Sequence, residues 1–239
     1  MLIERLHTDF SIARKGEVNL VTEVDLAAED LIVSRLNAAF PGHSILAEER
    51  HAQAAPGLHR WIVDPLDGTT NYAHGYPVFA VSIALEIDGE MEFGVVYDPN
   101  LQELFTACRG KGATLNGTPI GVSRTCSLDA SLLATGFPYD IRTSEENNLE
   151  NFKRFALSTQ GIRRPGSAAL DLCYVACGRF DGYWELKLHP WDCAAGYLLV
   201  REAGGRVTNF RGERGSIYER KCIASNVLIH EEMLGLLKG

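Results

Sequence analysis

Residues 61–71 read Trp-Ile-Val-Asp-Pro-Leu-Asp-Gly-Thr-Thr-Asn and carry the strongest structural signal in the chain. The first three residues are apolar and predict a short buried strand. Pro65 and Gly68 favour a turn, so Asp64 and Asp67 are expected at the carboxyl end of that strand. The residues after Gly68 predict the start of a helix, and the free backbone N–H groups of a helix start could hold a phosphate.

Other carboxylates also follow short apolar segments: Asp25, Glu48, Glu49 and Asp192. Taken singly, such an acid is more often a turn former or a helix cap than a ligand. Several converging carboxylates would repel one another unless cations lay between them, and carboxylate, carbonyl and water oxygens are the ligands of Mg²⁺. We therefore expect a site for more than one Mg²⁺, which is the usual equipment for hydrolysing phosphate esters.

Composition excludes several classes of protein. The 239 residues contain 23 Lys and Arg against 31 Asp and Glu, a net charge of −8 that argues against non-specific binding to nucleic acids. Hydrophobic residues make up 46%, as in soluble globular proteins, and no apolar run approaches the ~20 residues of a membrane span. Six cysteines without a CxxC pair and the lack of a secretory signal predict reduced thiols in a cytoplasmic protein.

Motifs of other hydrolases are missing from the chain. It contains no GxxxxGK[ST], no GxSxG and no HExxH pattern, which argues against nucleotide hydrolysis of the P-loop type and against a serine hydrolase.

The first half of the chain predicts an α+β arrangement with an antiparallel sheet. Residues 25–40 have helical periodicity, with Asp25 as the cap and Pro41-Gly42 as the stop. A strand at 61–63 and a hairpin of strands 78–87 and 91–97 around Asp88-Gly89 follow, and the meander continues through 103–108 and 113–120.

The second half predicts alternating strands and helices. The expected helices are 144–159 capped by Ser144, then 167–177, 192–203 and a last one from His230, and the expected strands are 205–210 and 217–224. Such alternation is typical of layered α/β domains. We expect one domain over 1–239, with approximate subdomains at 1–125 and 126–239.

The motifs in this chain resemble those of the inositol monophosphatase family. Its DP(I/L)DGTTN pattern matches residues 64–71, and its WDxAAG pattern matches residues 191–196. Further agreement follows in family order at 15–25, 47–49, 166–169 and 181–185, so the resemblance covers nearly the whole chain.

This resemblance implies a layered α-β-α-β-α sandwich of the inositol monophosphatase and fructose-1,6-bisphosphatase type, usually a homodimer. It implies a lithium-sensitive phosphatase that uses two or three Mg²⁺ ions to hydrolyse myo-inositol 1-phosphate or a similar polyol phosphate. Only Met1 to about His7 remain to form the family's N-terminal helix before the Lys15 loop, so either the start is misassigned or that helix is shortened.

The resemblance also implies roles for individual residues. The metal ligands would be Glu48, Asp64 and the Leu66 carbonyl for the first ion, and Asp64, Asp67 and Asp192 for the second, with Glu48 also serving a third. Thr69 with Asp25 would orient and deprotonate the attacking water, and Glu49 would support that network.

Substrate contacts follow from the same resemblance. The N–H groups of Gly68 and Thr69 would receive the phosphate beside Asp67, and Lys15 lies in the loop that closes on the site. Glu185 and the Gly166-Ser167 backbone would contact the hydroxyls of the alcohol, since a carboxylate can accept from two adjacent hydroxyl groups.

Alternatives within the superfamily stay open: fructose-1,6-bisphosphatase, histidinol-phosphate phosphatase and 3′-phosphoadenosine 5′-phosphate phosphatase. Glu185 favours the inositol substrate, whereas Lys187 and the Arg163-Arg164 pair are either surface charges or contacts for a second phosphate. A non-catalytic regulator that binds a partner protein or a sugar phosphate is less favoured, because every metal ligand of the family is present.

Overall fold

The computed structural model describes residues 1–6, 8–14, 20–50 and 57–237. Helices α1 and α2 lie outside a seven-stranded sheet, α5 and α6 lie between that sheet and a five-stranded one, and α4 and α7 cover the outer face of the second sheet. The helices are α1 Leu2–Arg5, α2 Glu23–Ala39, α3 Thr69–Ala73, α4 Leu149–Ala156, α5 Ala168–Ala176, α6 Pro190–Glu202 and α7 His230–Leu237. This order of layers confirms the predicted α-β-α-β-α sandwich.

The strands belong to a short hairpin and the two sheets. They are β1 Ile12–Arg14, β2 Leu20–Thr22, β3 Ser44–Ala47, β4 His59–Asp67, β5 Ala80–Ile87, β6 Glu90–Asp98, β7 Glu103–Cys108, β8 Gly112–Leu115, β9 Thr118–Pro119, β10 Leu132–Thr135, β11 Gly161–Arg163, β12 Gly182–Leu186, β13 Arg206–Thr208 and β14 Lys221–Ser225. A 3₁₀ turn at Leu128–Ala130 precedes β10.

Helix α2 begins earlier than predicted, and Asp25 is not its cap. Thr22 caps the helix, its hydroxyl accepting from the N–H groups of Val24 and Asp25. The Asp25 carboxylate returns to the Thr22 N–H, which completes a reciprocal capping box. Asp25 is therefore held one turn inside the helix, where its side chain points back toward the helix start.

The seven-stranded sheet has the order β3-β4-β5-β6-β7-β8-β9, with β3 parallel to β4 and the remaining pairs antiparallel. The predicted strand at 61–63 is longer than expected, because β4 continues through Asp67 with an irregularity in its pairing to β5 between Asp64 and Asp67. Pro65 cannot donate to a strand ladder, and a bulge accommodates it. The Asp88-Gly89 hairpin is confirmed, with φ of 50° and 78° at the two positions.

The middle layer brings the two halves of the chain together. Helix α6 packs so closely on β6 that a β-carbon at Gly94 would lie 3.1 Å from Ala195 Cα. The predicted start of this helix at Asp192 is wrong, because α6 begins at Pro190 and the Asp192 carboxylate accepts the N–H of His189 ahead of it. Helix α5 is confirmed, with Ser167 as its cap.

The five-stranded sheet has the order β11-β10-β12-β14-β13, and only β14 is antiparallel to its neighbours. The strands predicted at 205–210 and 217–224 are shorter here, as β13 and β14. The helix predicted from Ser144 is wrong in its start, because α4 begins at Leu149 after Asn148. The Asn148 amide donates to Thr135 Oγ1 and to the Gly136 carbonyl, and these bonds fix the chain in a non-helical conformation at that residue.

The division of the chain near residue 125 stays a prediction, although the seven-stranded sheet ends at Pro119 and the second sheet begins at Leu132. All six cysteines are free thiols. Across the described residues, no helix combines the length and apolar character needed to cross a membrane.

Candidate active site

A cleft of about 720 Å³ opens where β4, the N-termini of α5 and α6, and the end of β12 meet. It gathers most of the residues singled out in the sequence: Glu48, Asp64, Leu66, Asp67, Gly68, Thr69, Gly166, Ser167, Glu185 and Asp192. Asp25 lies fully buried behind Thr69, and the Glu49 side chain is not among those lining the cleft. Lys15 lies outside the described residues.

Four carboxylates face one another in this cleft. Burial raises the pKa of Asp64 well above its usual value, and the charges of Glu48, Asp67 and Asp192 raise it further. Burial, followed by the charge of Glu48, likewise raises the pKa of Asp192. Such mutual repulsion is what a site for divalent cations is expected to show before its charges are neutralised.

The donor chemistry of this cluster suits Mg²⁺, which takes carboxylate and carbonyl oxygens. In the parts of the chain that the structure describes, no three His, Cys, Asp or Glu side chains already stand close enough together to hold one ion. The residue types fit the predicted metal centre, and the assignment of each ligand stays a prediction.

Asp67 is anchored across the cleft by the start of α5. Its Oδ2 accepts from Ser167 Oγ at 2.5 Å and from the Ala169 N–H at 2.8 Å. Burial raises the pKa of Asp67 to about 6, and the hydrogen bonds from Ser167 and Ala169 oppose that rise. The two donors fix the orientation of the carboxylate.

Thr69 and Asp25 form a buried dyad at the base of the cleft. Thr69 Oγ1 lies 2.8 Å from Asp25 Oδ1 and 3.1 Å from the Leu66 carbonyl oxygen. Asp25 Oδ2 accepts from the N–H and the hydroxyl of Thr22, at 2.9 and 2.5 Å. Both oxygens of Asp25 are therefore occupied, and the carboxylate is held where it can accept the Thr69 proton.

The turn between β4 and α3 depends on glycine. Gly68 has φ of 95°, and a β-carbon there would lie 2.9 Å from the Val78 carbonyl oxygen. Asn71 stabilises the same turn, because its amide donates to the carbonyls of Val78 at 2.7 Å and Pro165 at 2.8 Å. Asn71 thereby ties the turn to the segment that enters α5.

Glu185 lies on the opposite side of the cleft, on β12. Burial raises its pKa to about 7, while the hydroxyl of Tyr183, which donates to Glu185 Oε2 at 2.5 Å, opposes that rise. The carboxylate packs against the backbone of Gly136, where a β-carbon would overlap it. Glu185 is thus a half-buried acid on the wall of the cleft that accepts from Tyr183, and its pKa lies close to neutral pH.

The basic residues noted in the sequence have different surroundings. Lys187 Nζ donates to Asp140 Oδ2 at 2.6 Å and to Ser144 Oγ at 2.7 Å, so its charge is paired. Arg164 lines the cleft, whereas the Arg163 guanidinium donates to the carbonyl of Ile162 and does not line it. The two neighbouring arginines therefore separate into one cleft residue and one surface residue.

Sequence reasoning missed Glu29, which organises the segment after β3. Its fully buried carboxylate accepts the N–H of Glu49 at 2.7 Å and that of Arg50 at 2.9 Å. The available signal was an acid one helical turn after Asp25, on the buried face of α2. Glu29 orients the backbone just after Glu48, while the supporting role of the Glu49 side chain stays a prediction.

Comparisons with known proteins agree with this geometry. The model of the inositol monophosphatase family matches residues 1–238. The chain is 49% identical over 224 residues to an inositol-1-monophosphatase of Synechocystis sp., covering 93% of this chain and 78% of that protein. It is 47% identical over 239 residues to Nus factor SuhB of Pseudomonas aeruginosa, and the match covers 97% of this chain and 87% of that protein. The structure of inositol monophosphatase from Anabaena (Nostoc) sp. superposes with a TM-score of 0.86 at 48% identity, covering 90% and 85%.

Proposed function

The chain belongs to the inositol monophosphatase family, and from this premise we propose that it releases inorganic phosphate from myo-inositol 1-phosphate or a similar polyol phosphate. The enzyme is a phosphoric monoester hydrolase of a family that is generally Mg²⁺-dependent. The observation that carries the proposal is the meeting, in one cleft, of four carboxylates, the buried Thr69–Asp25 dyad and a buried acid on the opposite wall.

The proposed metal ligands are Glu48, Asp64, the Leu66 carbonyl, Asp67 and Asp192, for two or three Mg²⁺ ions. When bound, Mg²⁺ neutralises charge on the phosphate oxygens and lowers the pKa of the attacking water. The Leu66 N–H donates to Asp64 Oδ1 at 3.0 Å and thereby orients that carboxylate. The bonds from Ser167 and Ala169 do the same for Asp67.

The proposed proton path begins at Thr69. Because the Thr69 hydroxyl can donate to Asp25, a lone pair on its Oγ1 is left to accept a proton from the attacking water. Asp25 Oδ1 then takes the Thr69 proton. The bonds from the Thr22 N–H and hydroxyl to Oδ2 hold the Asp25 carboxyl group in place for this transfer. Attack is direct, without a covalent phosphoenzyme. The N–H groups of Gly68 and Thr69 bind the phosphate.

The alcohol is proposed to lie against Glu185 and the Gly166-Ser167 backbone. A buried carboxylate recognises hydroxyl groups well, because it offers several acceptor sites in a region that water enters poorly. The pairing of Lys187 with Asp140 disfavours a second phosphate near it, so the bisphosphate alternatives lose support.

The test is phosphate release with and without Mg²⁺ from four esters at equal low concentration: inositol 1-phosphate, fructose 1,6-bisphosphate, histidinol phosphate and 3′-phosphoadenosine 5′-phosphate. Ranking by kcat/KM compares transition-state binding directly. We expect a Mg²⁺-dependent preference for inositol 1-phosphate. A preference for another of the four esters would assign that ester as the substrate instead. No turnover of any of them by folded protein would favour the binding-only alternative.

A homodimer of single-domain chains in the cytoplasm is proposed from the family resemblance. The outer face of the seven-stranded sheet supports the dimer, because Tyr97 and Leu104 are paired neighbours on β6 and β7 and remain 39% and 40% exposed. Light scattering should give twice the chain mass, and Leu104→Glu should shift it toward the monomer. If Leu104→Glu has the same mass in solution as the wild type, the dimer interface does not include this face of the sheet.

A further inference from the structure

Arg164 occupies an unusual position in the cleft. It lies two residues before the Gly166 turn, and a β-carbon at Gly166 would be 3.0 Å from Arg164 Nη1. Its guanidinium lines the cleft and, within the described part of the chain, has no hydrogen bond or ion pair. A cation without a bonded carboxylate on the wall of a cleft is available to a ligand.

Two buried acids lie near this cation. Burial raises the pKa of both Glu185 and Asp171, and the charge of Arg164 lowers both. Asp171 on α5 is 1% exposed, lines the floor of the cleft, and its Oδ1 is buried without a hydrogen-bond partner among the described residues. Arg164 thus shares one region with two acids but is not bonded to either.

A hydroxyl group is chemically suited to the region beside Arg164 and these two acids, because it donates one hydrogen bond and accepts others. Its proton can be directed at Glu185 while its oxygen accepts from Arg164. A second phosphate is less well suited, because the region offers it only one cation, Arg164, beside two acids, Glu185 and Asp171. The region therefore favours a neutral polyol over an anionic group.

We propose that Arg164 determines specificity for the alcohol portion of the substrate by donating to a hydroxyl whose proton Glu185 accepts. Asp171 is a positioning residue beside this contact, and its buried carboxyl group on α5 retains the Arg164 guanidinium in the cleft. The inference rests on the proposed function and deepens it, since it identifies the hydroxyl groups beside the ester as the feature that is recognised.

The experiment compares inositol 1-phosphate with cyclohexyl phosphate, which has the same ring and ester but none of the other hydroxyls. Arg164→Met should lower kcat/KM for inositol 1-phosphate by about 10- to 100-fold, the effect of losing a charged hydrogen bond, and leave cyclohexyl phosphate within about twofold. Arg163→Met is the matched control and should change neither. Asp171→Asn should lower the same ratio of the two kcat/KM values by about tenfold, with both substrates tested in protein of unchanged circular dichroism.

Three outcomes would overturn the proposal alone. Equal losses for both esters in Arg164→Met would indicate a contact with the phosphate or a structural role. An equal effect of Arg163→Met would remove the distinction between the two arginines. A fall in the kcat/KM of Arg164→Met that is confined to fructose 1,6-bisphosphate would indicate that Arg164 binds a second phosphate group. By contrast, a wild-type chain that hydrolyses neither ester would overturn the proposed function and this inference together.

Discussion

Thr69 Oγ1 lies 2.8 Å from Asp25 Oδ1, although the two residues are 44 positions apart in the chain. The contact joins the first turn of α3 to the first turn of α2. Asp25 also closes the capping box of α2 with Thr22, so the same carboxylate stabilises a helix start and forms the dyad with Thr69.

Loss of the Thr69 hydroxyl should remove the proposed proton path. Thr69→Val keeps the shape of the side chain, and we expect kcat to fall by about 10²- to 10⁴-fold, the usual effect of losing general base catalysis. Phosphate release from inositol 1-phosphate measures the change. Thr69→Ser, which keeps the hydroxyl, should stay within about tenfold of the wild type. A Thr69→Val enzyme that is equally active would exclude the dyad from the reaction.

Asp67→Asn should abolish Mg²⁺-dependent phosphate release while leaving the fold near normal. A carboxylate lost from a multi-metal site is expected to cost several orders of magnitude in rate, because the metals supply most of the charge stabilisation. The measurements are kcat/KM across a Mg²⁺ titration and circular dichroism of the variant. A loss of tenfold or less would remove Asp67 from the metal site.

Glu29→Gln should weaken the segment that follows β3. The amide keeps the size of the side chain but has only one acceptor oxygen, so one of the bonds from the Glu49 and Arg50 N–H groups is lost, and the expected cost is about 1–3 kcal/mol in free energy of unfolding. Urea unfolding measures it. Asp30→Asn, which removes only the exposed ion pair with Arg50, is the matched control and should cost under about 1 kcal/mol. Equal costs would contradict the anchoring role of Glu29.

His230 should make the protein less stable in mild acid. The ring is fully buried between Thr208 Oγ1 and Ser225 Oγ, at 2.9 and 2.8 Å, and burial lowers its pKa from 6.5 to about 4. Between those two pH values the unfolded chain binds a proton that the folded chain does not, so the free energy of unfolding falls as the pH drops from 6.5 toward 4.

The size of this effect should be roughly 2–3 kcal/mol. Urea unfolding at pH 7, 6, 5 and 4 gives the free energy of unfolding at each pH. The effect is the difference between its pH dependence in the wild type and in His230→Gln, which cannot take up the proton. Other acids titrate alike in both proteins and cancel in the comparison. Parallel pH profiles for the two proteins would exclude His230 as the source.

Local signals in the chain predict local structure well. The Asp88-Gly89 hairpin, helix α5 within the predicted range 167–177 and the carboxylates at the end of β4 all follow from neighbours within a few residues. The match of nearly the whole chain to one family adds the order of the layers, which periodicity alone does not reach.

Features that depend on distant partners could not be predicted. The start of α4 is decided by the Asn148 side chain, which bonds to Thr135, Gly136 and Trp184 elsewhere in the fold. Strand β10 is only four residues long and mostly buried, so no alternation of polar and apolar residues indicates it. Glu29 and Asp171 lie within apolar helical faces, and their importance appears only once Glu49 and Arg164 are beside them.

The anchoring of Asp67 has a consequence for the order in which the enzyme matures during synthesis. Its two donors, Ser167 and Ala169, leave the ribosome 100 and 102 residues after it. A nascent chain that has completed the seven-stranded sheet therefore carries this acid without its donors and without Asp192. The proposed metal site is therefore complete only when the second half of the polypeptide has been synthesised and has docked on the sheet, because α5 supplies both donors and α6 carries Asp192.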